Sequence, residues 1–128
     1  ISLDNAHAVH PNYPEKPDKN FPVTINKGPV IKFNGNLRYA TSSKGSGFFQ
    51  LLCQKAKVPF QKFVMRADMK CGSTIGPIIS SSLGIETLDI GLPTFSMHSI
   101  RETCGISDSE YLINVLKLFY NSPSVKLS

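Results

Sequence analysis

Apolar positions recur along this chain in two rhythms, and the places where the rhythm changes mark its elements. A short apolar run opens the sequence, so residues 1–4 read as a buried strand that delivers Asp4 at its end. From His10 to Pro29 the pattern is lost, and five prolines (Pro11, Pro14, Pro17, Pro22 and Pro29) stand among Asn, Asp and Lys. Proline fixes φ and has no N–H to donate, which predicts a long loop. Period-two patterning returns in Pro29–Phe33, a strand candidate with Lys32 among apolar neighbours, closed by the turn Asn34-Gly35-Asn36.

Helical spacing follows. Phe48, Leu51, Leu52, Lys55 and Ala56 share one face of a helix expected over 41–57, with Lys55 covering the edge by its stem. Gly45 and Gly47 weaken its first turns by about 1 kcal/mol each relative to alanine, and Val58-Pro59 stops it. Phe60 to Arg66 alternates around Phe63 and Met65 as a strand. Cys71 to Pro77 is a glycine-rich strand-to-helix turn, leading into an apolar helix from Ile78 to Leu83 that Gly84 ends. Glu86–Gly91 supplies another strand, and Pro93–Ser96 a loop. Ser107-Asp108-Ser109-Glu110 has the form of a capping box. It would open a helix over 108–121, with Leu112, Val115, Leu116 and Phe119 on one face. Strands alternating with helices predict an α/β layered domain.

Composition narrows the function classes. The chain has 128 residues, 41% apolar and 18% charged, which fits one globular domain or part of one. The net charge of +5 is spread along the chain. No basic stripe interleaves with aromatics, so nucleic acid is not the expected partner. No run of 18 apolar residues occurs, so no membrane span is expected. Three cysteines, Cys53, Cys71 and Cys104, lack metal-ligand spacing and read as reduced thiols of a cytoplasmic protein. The chain begins inside an apolar run without an initiator Met, and the expectation is a piece of a longer protein.

The candidate chemistry gathers in Asp4-Asn5-Ala6-His7-Ala8-Val9-His10-Pro11-Asn12-Tyr13, which holds two of the three histidines. The third, His98, lies in Ser96-Met97-His98-Ser99-Ile100-Arg101-Glu102. Carboxylate and imidazole are ligands that zinc accepts. By spacing alone, however, Asp4 capping a turn and His7 and His10 as ordinary polar loop residues is the favoured account. A lone lysine such as Lys32 is more often solvated than functional. The Gly72–Gly76 turn fits an anion-binding helix start or a tight turn packed on the sheet about equally.

Together these blocks resemble the aspartyl aminopeptidase family of cocatalytic zinc metallopeptidases. The similarity lies in residues 4–13, Lys27-Gly28-Pro29-Val30-Ile31-Lys32, Arg38-Tyr39-Ala40-Thr41, Cys71-Gly72-Ser73-Thr74-Ile75-Gly76-Pro77 and 96–102, in order over nearly the whole chain. The resemblance implies the C-terminal part of a layered α/β/α catalytic domain, without the N-terminal part and an inserted dimerisation domain. It implies a two-zinc site to which Asp4 and His98 each supply a ligand on different ions, with His7, Lys32 and Tyr39 contacting substrate. The substrates would be peptides with N-terminal Asp or Glu, and the enzyme a homo-oligomer.

Departures go with the resemblance. The family's remaining ligands, and the Glu-Glu pair that holds its general base, have no match in this sequence. Pro17 and Phe21 stand where the family often carries histidines. The expectation is therefore that no catalytic residue lies in these 128 residues and that they are inactive alone. Alternatives from other classes are a non-catalytic remnant or structural subunit of the same fold, and a plain anion-binding α/β domain. The latter leaves His98 in its register unexplained.

Overall fold

The chain enters the sheet as one long parallel ladder that passes through two strand pairs. The computed structural model describes residues 1–15, 19–34, 38–64 and 72–122. Strand β1 (Ser2–Leu3) pairs in parallel with β5 (Asp89–Gly91), and β2 (Ala6–His7) pairs in parallel with β6 (Pro93–Phe95). Every second N–H of the opening residues donates across: Ser2 to Leu88 O, Asp4 to Ile90 O, Ala6 to Leu92 O and Ala8 to Thr94 O, at 2.7–3.1 Å. The ladder runs straight past Asp4, so the residue expected at a strand end is instead a link between two sheets.

The first sheet has the order β1-β5-β3-β4, with β3 spanning Val30–Phe33 and β4 Gln61–Val64. It is mixed: β3 runs parallel to β4 and antiparallel to β5. The second sheet, β2-β6-β7, is completed by β7 (Thr103–Cys104), antiparallel to β6.

Helix α1 (Ser43–Ala56) and helix α3 (Ile106–Tyr120) pack on each other and on one face of the first sheet. There Ile31, Phe49, Leu52, Cys53, Leu88, Ile90, Leu112 and Val115 form the main core. A smaller cluster of Ala6, Val23, Val30 and Phe63 lies on the other face. The split follows the period-two geometry of a strand: Ile31 and Val30, adjacent in sequence, join different clusters. Helix α2 (Gly76–Leu83) abuts the second face through Gly76, where an added Cβ would collide with the Asp89 carboxylate. Helices on both faces of a sheet make the layered α/β architecture anticipated from the sequence.

Several expectations are corrected. Pro93–Phe95 is a strand, because its edge is filled by β2 on one side and β7 on the other. The α1 face is centred on Phe49, Leu52 and Cys53, whereas Leu51 is exposed. The helix starts later than expected, at Ser43, because the Ser42 side chain accepts the Gly45 N–H at 3.0 Å as an N-cap. Helix α2 begins at Gly76, two residues before the expected start, and carries Pro77 in its first turn, where a missing N–H costs nothing.

The capping box of α3 does not form. The helix begins at Ile106 with Gly105 as N-cap. Ser107 lies inside its first turn, and its N–H donates to Asn26 Oδ1 at 3.1 Å. Asp108 turns away to accept Asn26 N–H at 2.6 Å and Gly28 N–H at 2.8 Å. A distant loop therefore caps this helix, and a Cβ at Gly105 would strike that loop at Asn26. The described part of 10–29 has no regular structure, as the prolines predict, until Val30 enters β3. The turn 34–36 and the end of the strand expected to Arg66 lie partly outside the described residues. No helix among the described residues is long and apolar enough to cross a membrane.

Candidate metal and substrate site

Asp4, Lys32 and Asp89 meet on the sheet face opposite α1 and α3. The antiparallel register of β3 and β5 pairs Val30 with Gly91 and Ile31 with Ile90, and continued by one residue it sets Lys32 opposite Asp89. The parallel register of β1 and β5, continued likewise, sets Asp4 beside Gly91. A Cβ at Gly91 would collide with the Asp4 carbonyl and sit 2.9 Å from Lys32 Cε. Glycine is needed there because the strand carrying Asp4 and the stem of Lys32 close over it.

Lys32 is 3% exposed. Burial pushes its ammonium below the usual lysine value, because a charge is costly away from water, while Asp4 and then Asp89 oppose that shift. Its parallel partner on β4 is Phe63. The Tyr39 ring packs on Phe63 edge to face at 6.4 Å between centroids, and Lys32 Nζ lies 5.5 Å from the Tyr39 centroid. The aromatic wall thus presents a π face to a buried cation.

His7, on β2, stands close enough to the other candidates to feel them. Partial burial lowers its imidazole below the usual histidine value, His98 and then Lys32 add to the lowering, and Asp4 works against it. His98 follows β6 in a tight turn where Ser96 and His98 take φ of 54° and 70°. Left-handed backbone is rare outside glycine and often marks a functional constraint. The His98 N–H donates to Glu102 Oε1 at 2.5 Å, which fixes the turn while leaving the imidazole exposed. His10 packs its ring on Tyr13 and Phe95, a structural contact at the mouth of the same sheet.

Of the five residues singled out from the sequence, Lys32 and Tyr39 are in contact and Asp4 lies on the same sheet face, while His7 and His98 are linked to them only through the lowering of the His7 imidazole. Asp4 and His98 are donors of the kind zinc accepts, and both side chains are exposed. Among the described residues, no group of three or more His, Cys, Asp or Glu could hold a metal ion. Asp4 and His98 therefore do not make a closed metal site among the described residues. Asp89 was not recognised from the sequence as part of the site. The signal was a carboxylate inside the apolar run Leu88-Asp89-Ile90-Gly91-Leu92, since buried aspartates are seldom without a task.

The comparisons with known proteins bear on the fold and the family. The description Aminopeptidase I zinc metalloprotease (M18) matches residues 1–120. The chain is 58% identical over 125 residues to Probable M18 family aminopeptidase 2 of Ectopseudomonas mendocina (strain ymp), spanning 98% of this chain and 29% of that protein. It is 61% identical over 122 residues to the protein of the same name from Pseudomonas fluorescens (strain Pf0-1), spanning 95% of this chain and 28% of that one. Among solved structures, a chain in the cryo-EM structure of the Ape4 and Nbr1 complex superposes with a TM-score of 0.90 at 47% identity, covering 92% of this chain and 22% of that one. The S. cerevisiae mApe1 dodecamer superposes with a TM-score of 0.81 at 30% identity, covering 93% and 26%. These 128 residues, spanning between a quarter and a third of the curated relatives they match, belong to the aminopeptidase I zinc metalloprotease (M18) family.

Proposed function

We propose that the chain forms one part of the active site of a zinc aminopeptidase that removes N-terminal Asp or Glu from peptides. The observation that carries this reading is the buried Lys32 ammonium over the Tyr39 ring, on the sheet face that also carries Asp4. A cation in a largely apolar, aromatic-walled site is the group that recognises a substrate side-chain carboxylate, through a charge-assisted hydrogen bond. Tyr39 holds that ammonium in place and closes the wall with Phe63. His7 would donate a ring N–H to the oxyanion that develops at the scissile carbonyl.

Asp4 and His98 would each hold one of two zinc ions, with the other ligands and the general base supplied by residues outside this chain. When bound, the ions polarise the carbonyl and make water nucleophilic near neutral pH. The 128 residues alone are then inactive, and the working enzyme is a longer polypeptide and a homo-oligomer, as the mApe1 dodecamer is. Two free cysteines among the described residues, Cys53 and Cys104, fit a cytoplasmic setting.

The decisive test compares matched peptides that begin with Asp or Ala, using the full-length protein that carries these residues. Lys32→Ala should lower kcat/KM on the Asp peptide by about 100-fold while changing the Ala peptide by less than about threefold. An equal loss on both would remove the specificity role. In the same protein His98→Ala should abolish turnover and lower bound zinc at unchanged thermal stability. Two zincs and full activity in that variant would remove the ligand assignment.

A further inference from the structure

Two aspartates are fully buried among the described residues, and they are satisfied differently. Asp108 uses both oxygens on backbone N–H groups, Oδ1 on Gly28 and Oδ2 on Asn26. That is a carboxylate serving the fold. Asp89 uses only one: Oδ2 accepts the Ala40 N–H at 2.6 Å, and Oδ1 has no partner among the described residues. A buried carboxylate left half satisfied costs stability unless another group needs it. The cation that feels it is Lys32, set opposite on β3.

The segment Arg38–Thr41, which carries Tyr39, is tied to this point from both sides. The Thr41 hydroxyl donates to Asp89 O at 3.3 Å, and Thr41 Oγ1 accepts the Asp89 N–H at 3.1 Å. On the other side of Tyr39, the Arg38 carbonyl accepts Ser73 Oγ at 3.3 Å and Thr74 N–H at 3.5 Å. The glycine-rich turn before α2 is therefore a cradle for the Tyr39 segment. Its helix start abuts the Asp89 carboxylate across Gly76, which leaves no room for a side chain there.

We propose that Asp89 is the positioning residue of the specificity pocket: docked on the Ala40 N–H and facing Lys32, its carboxylate fixes the Tyr39 segment and the lysine ammonium relative to each other. This rests on the reading of Lys32 and Tyr39 as substrate-contacting groups. Asp89 itself touches no substrate. Its charge keeps the ammonium in place, and its hydrogen bond keeps the aromatic wall against it.

The experiment uses the full-length protein with two variants. Asp89→Asn keeps an acceptor for Ala40 and removes the charge. Thr41→Val removes both hydroxyl bonds to β5 and keeps the charge. Asp89→Asn should raise KM for the Asp peptide by about tenfold with kcat within about twofold, and leave both constants for the Ala peptide within about twofold. Hydrogen exchange of residues 38–42, read by mass spectrometry without substrate, should quicken by about fivefold or more in Thr41→Val and by less in Asp89→Asn, which keeps a neutral acceptor for Ala40. A KM rise of equal size on both peptides, or unchanged exchange in both variants, overturns the proposal. If Asp89→Asn does not fold, Thr41→Val decides by its exchange and by a KM rise confined to the Asp peptide. Lys32→Ala without loss of Asp preference, alongside quickened exchange, would remove the specificity pocket and leave the clamp standing.

Discussion

Ile31 and Lys32 are neighbours on β3, both buried, and they face opposite sides of one sheet. Ile31 meets Ile90, Phe49 and Leu52 in a core where every contact is apolar. Lys32 lies opposite Asp89 and over the Tyr39 ring, beside Phe63 and the stretch around Asp4, so on its side charged groups stand among apolar and aromatic ones. The first face gains free energy by removing hydrocarbon from water. The second gives some of that up, holding a cation and a carboxylate away from water. One strand serves both purposes because its side chains alternate. The difference teaches that parity along β3 and β5 divides the main apolar core from the face that carries buried charge, and on the proposed reading stability and specificity divide the same way.

Substitutions can test that separation in the full-length protein. The largest loss of stability is expected on the helix face: Phe49→Ala should cost about 3–5 kcal/mol in unfolding free energy through a cavity. The ratio of kcat/KM for Asp over Ala peptides should stay unchanged in the folded fraction. A changed ratio would show that the two faces are coupled.

Asp108→Ala strands two N–H groups of the 26–28 turn and should cost about 2–3 kcal/mol, again without altering the ratio. Urea unfolding measures it. A loss below about 0.5 kcal/mol would mean that water replaces the carboxylate.

Gly91→Ala should have a smaller effect on stability, about 1–3 kcal/mol, from the forced contact with Asp4 and Lys32. Its effect on turnover should be large, because both displaced groups belong to the site. Wild-type kinetics in this variant would show that the close approach over Gly91 is unimportant.

The smallest effect concerns Cys53, whose thiol burial pushes up to about 12 from 9.0. The folded protein keeps this proton between those values while the unfolded chain releases it. Stability should therefore fall as pH rises above about 9, with a slope bounded by one proton. Cys53→Ala should flatten that slope, and an identical slope in both proteins would show that other groups set it.

How much of this was legible follows the same division. The α3 face Leu112, Val115, Leu116 and Phe119 was readable because helical period alone selects it. In α1, Phe48, Phe49, Leu51 and Leu52 offered two overlapping faces, and only packing against β3 and α3 chose the one with Phe49. Strands β2, β6 and β7 are two or three residues long, too short for a period to show. They exist through partners distant in sequence. The site residues were named by resemblance, since an isolated Asp-x-x-His or a single lysine carries little information. Asp89 escaped notice because a strand pattern records that a residue is buried, but not what it holds. Asp108 was misread because its box spacing fits a local cap, whereas its carboxylate serves a loop far away.

The bond between that loop and α3 has a kinetic consequence. Asn26 and Gly28 lie 82 and 80 positions before Asp108, and β1 and β2 find their partners only in β5 and β6. A nascent chain that has emerged only as far as β4 can pair β3, with Lys32, against β4, but it holds the Asp4 stretch without β5 and β6. Non-local pairings form slowly, because loop closure precedes any gain from contact. Helix α1 and the β3–β4 pair, being local, can assemble first. The Asp4 stretch is then set in place only after β5 and β6 have been synthesised, and the turn at 26–28 is gripped only once the N-terminus of α3 has followed, which makes this face one of the last parts of these 128 residues to become native.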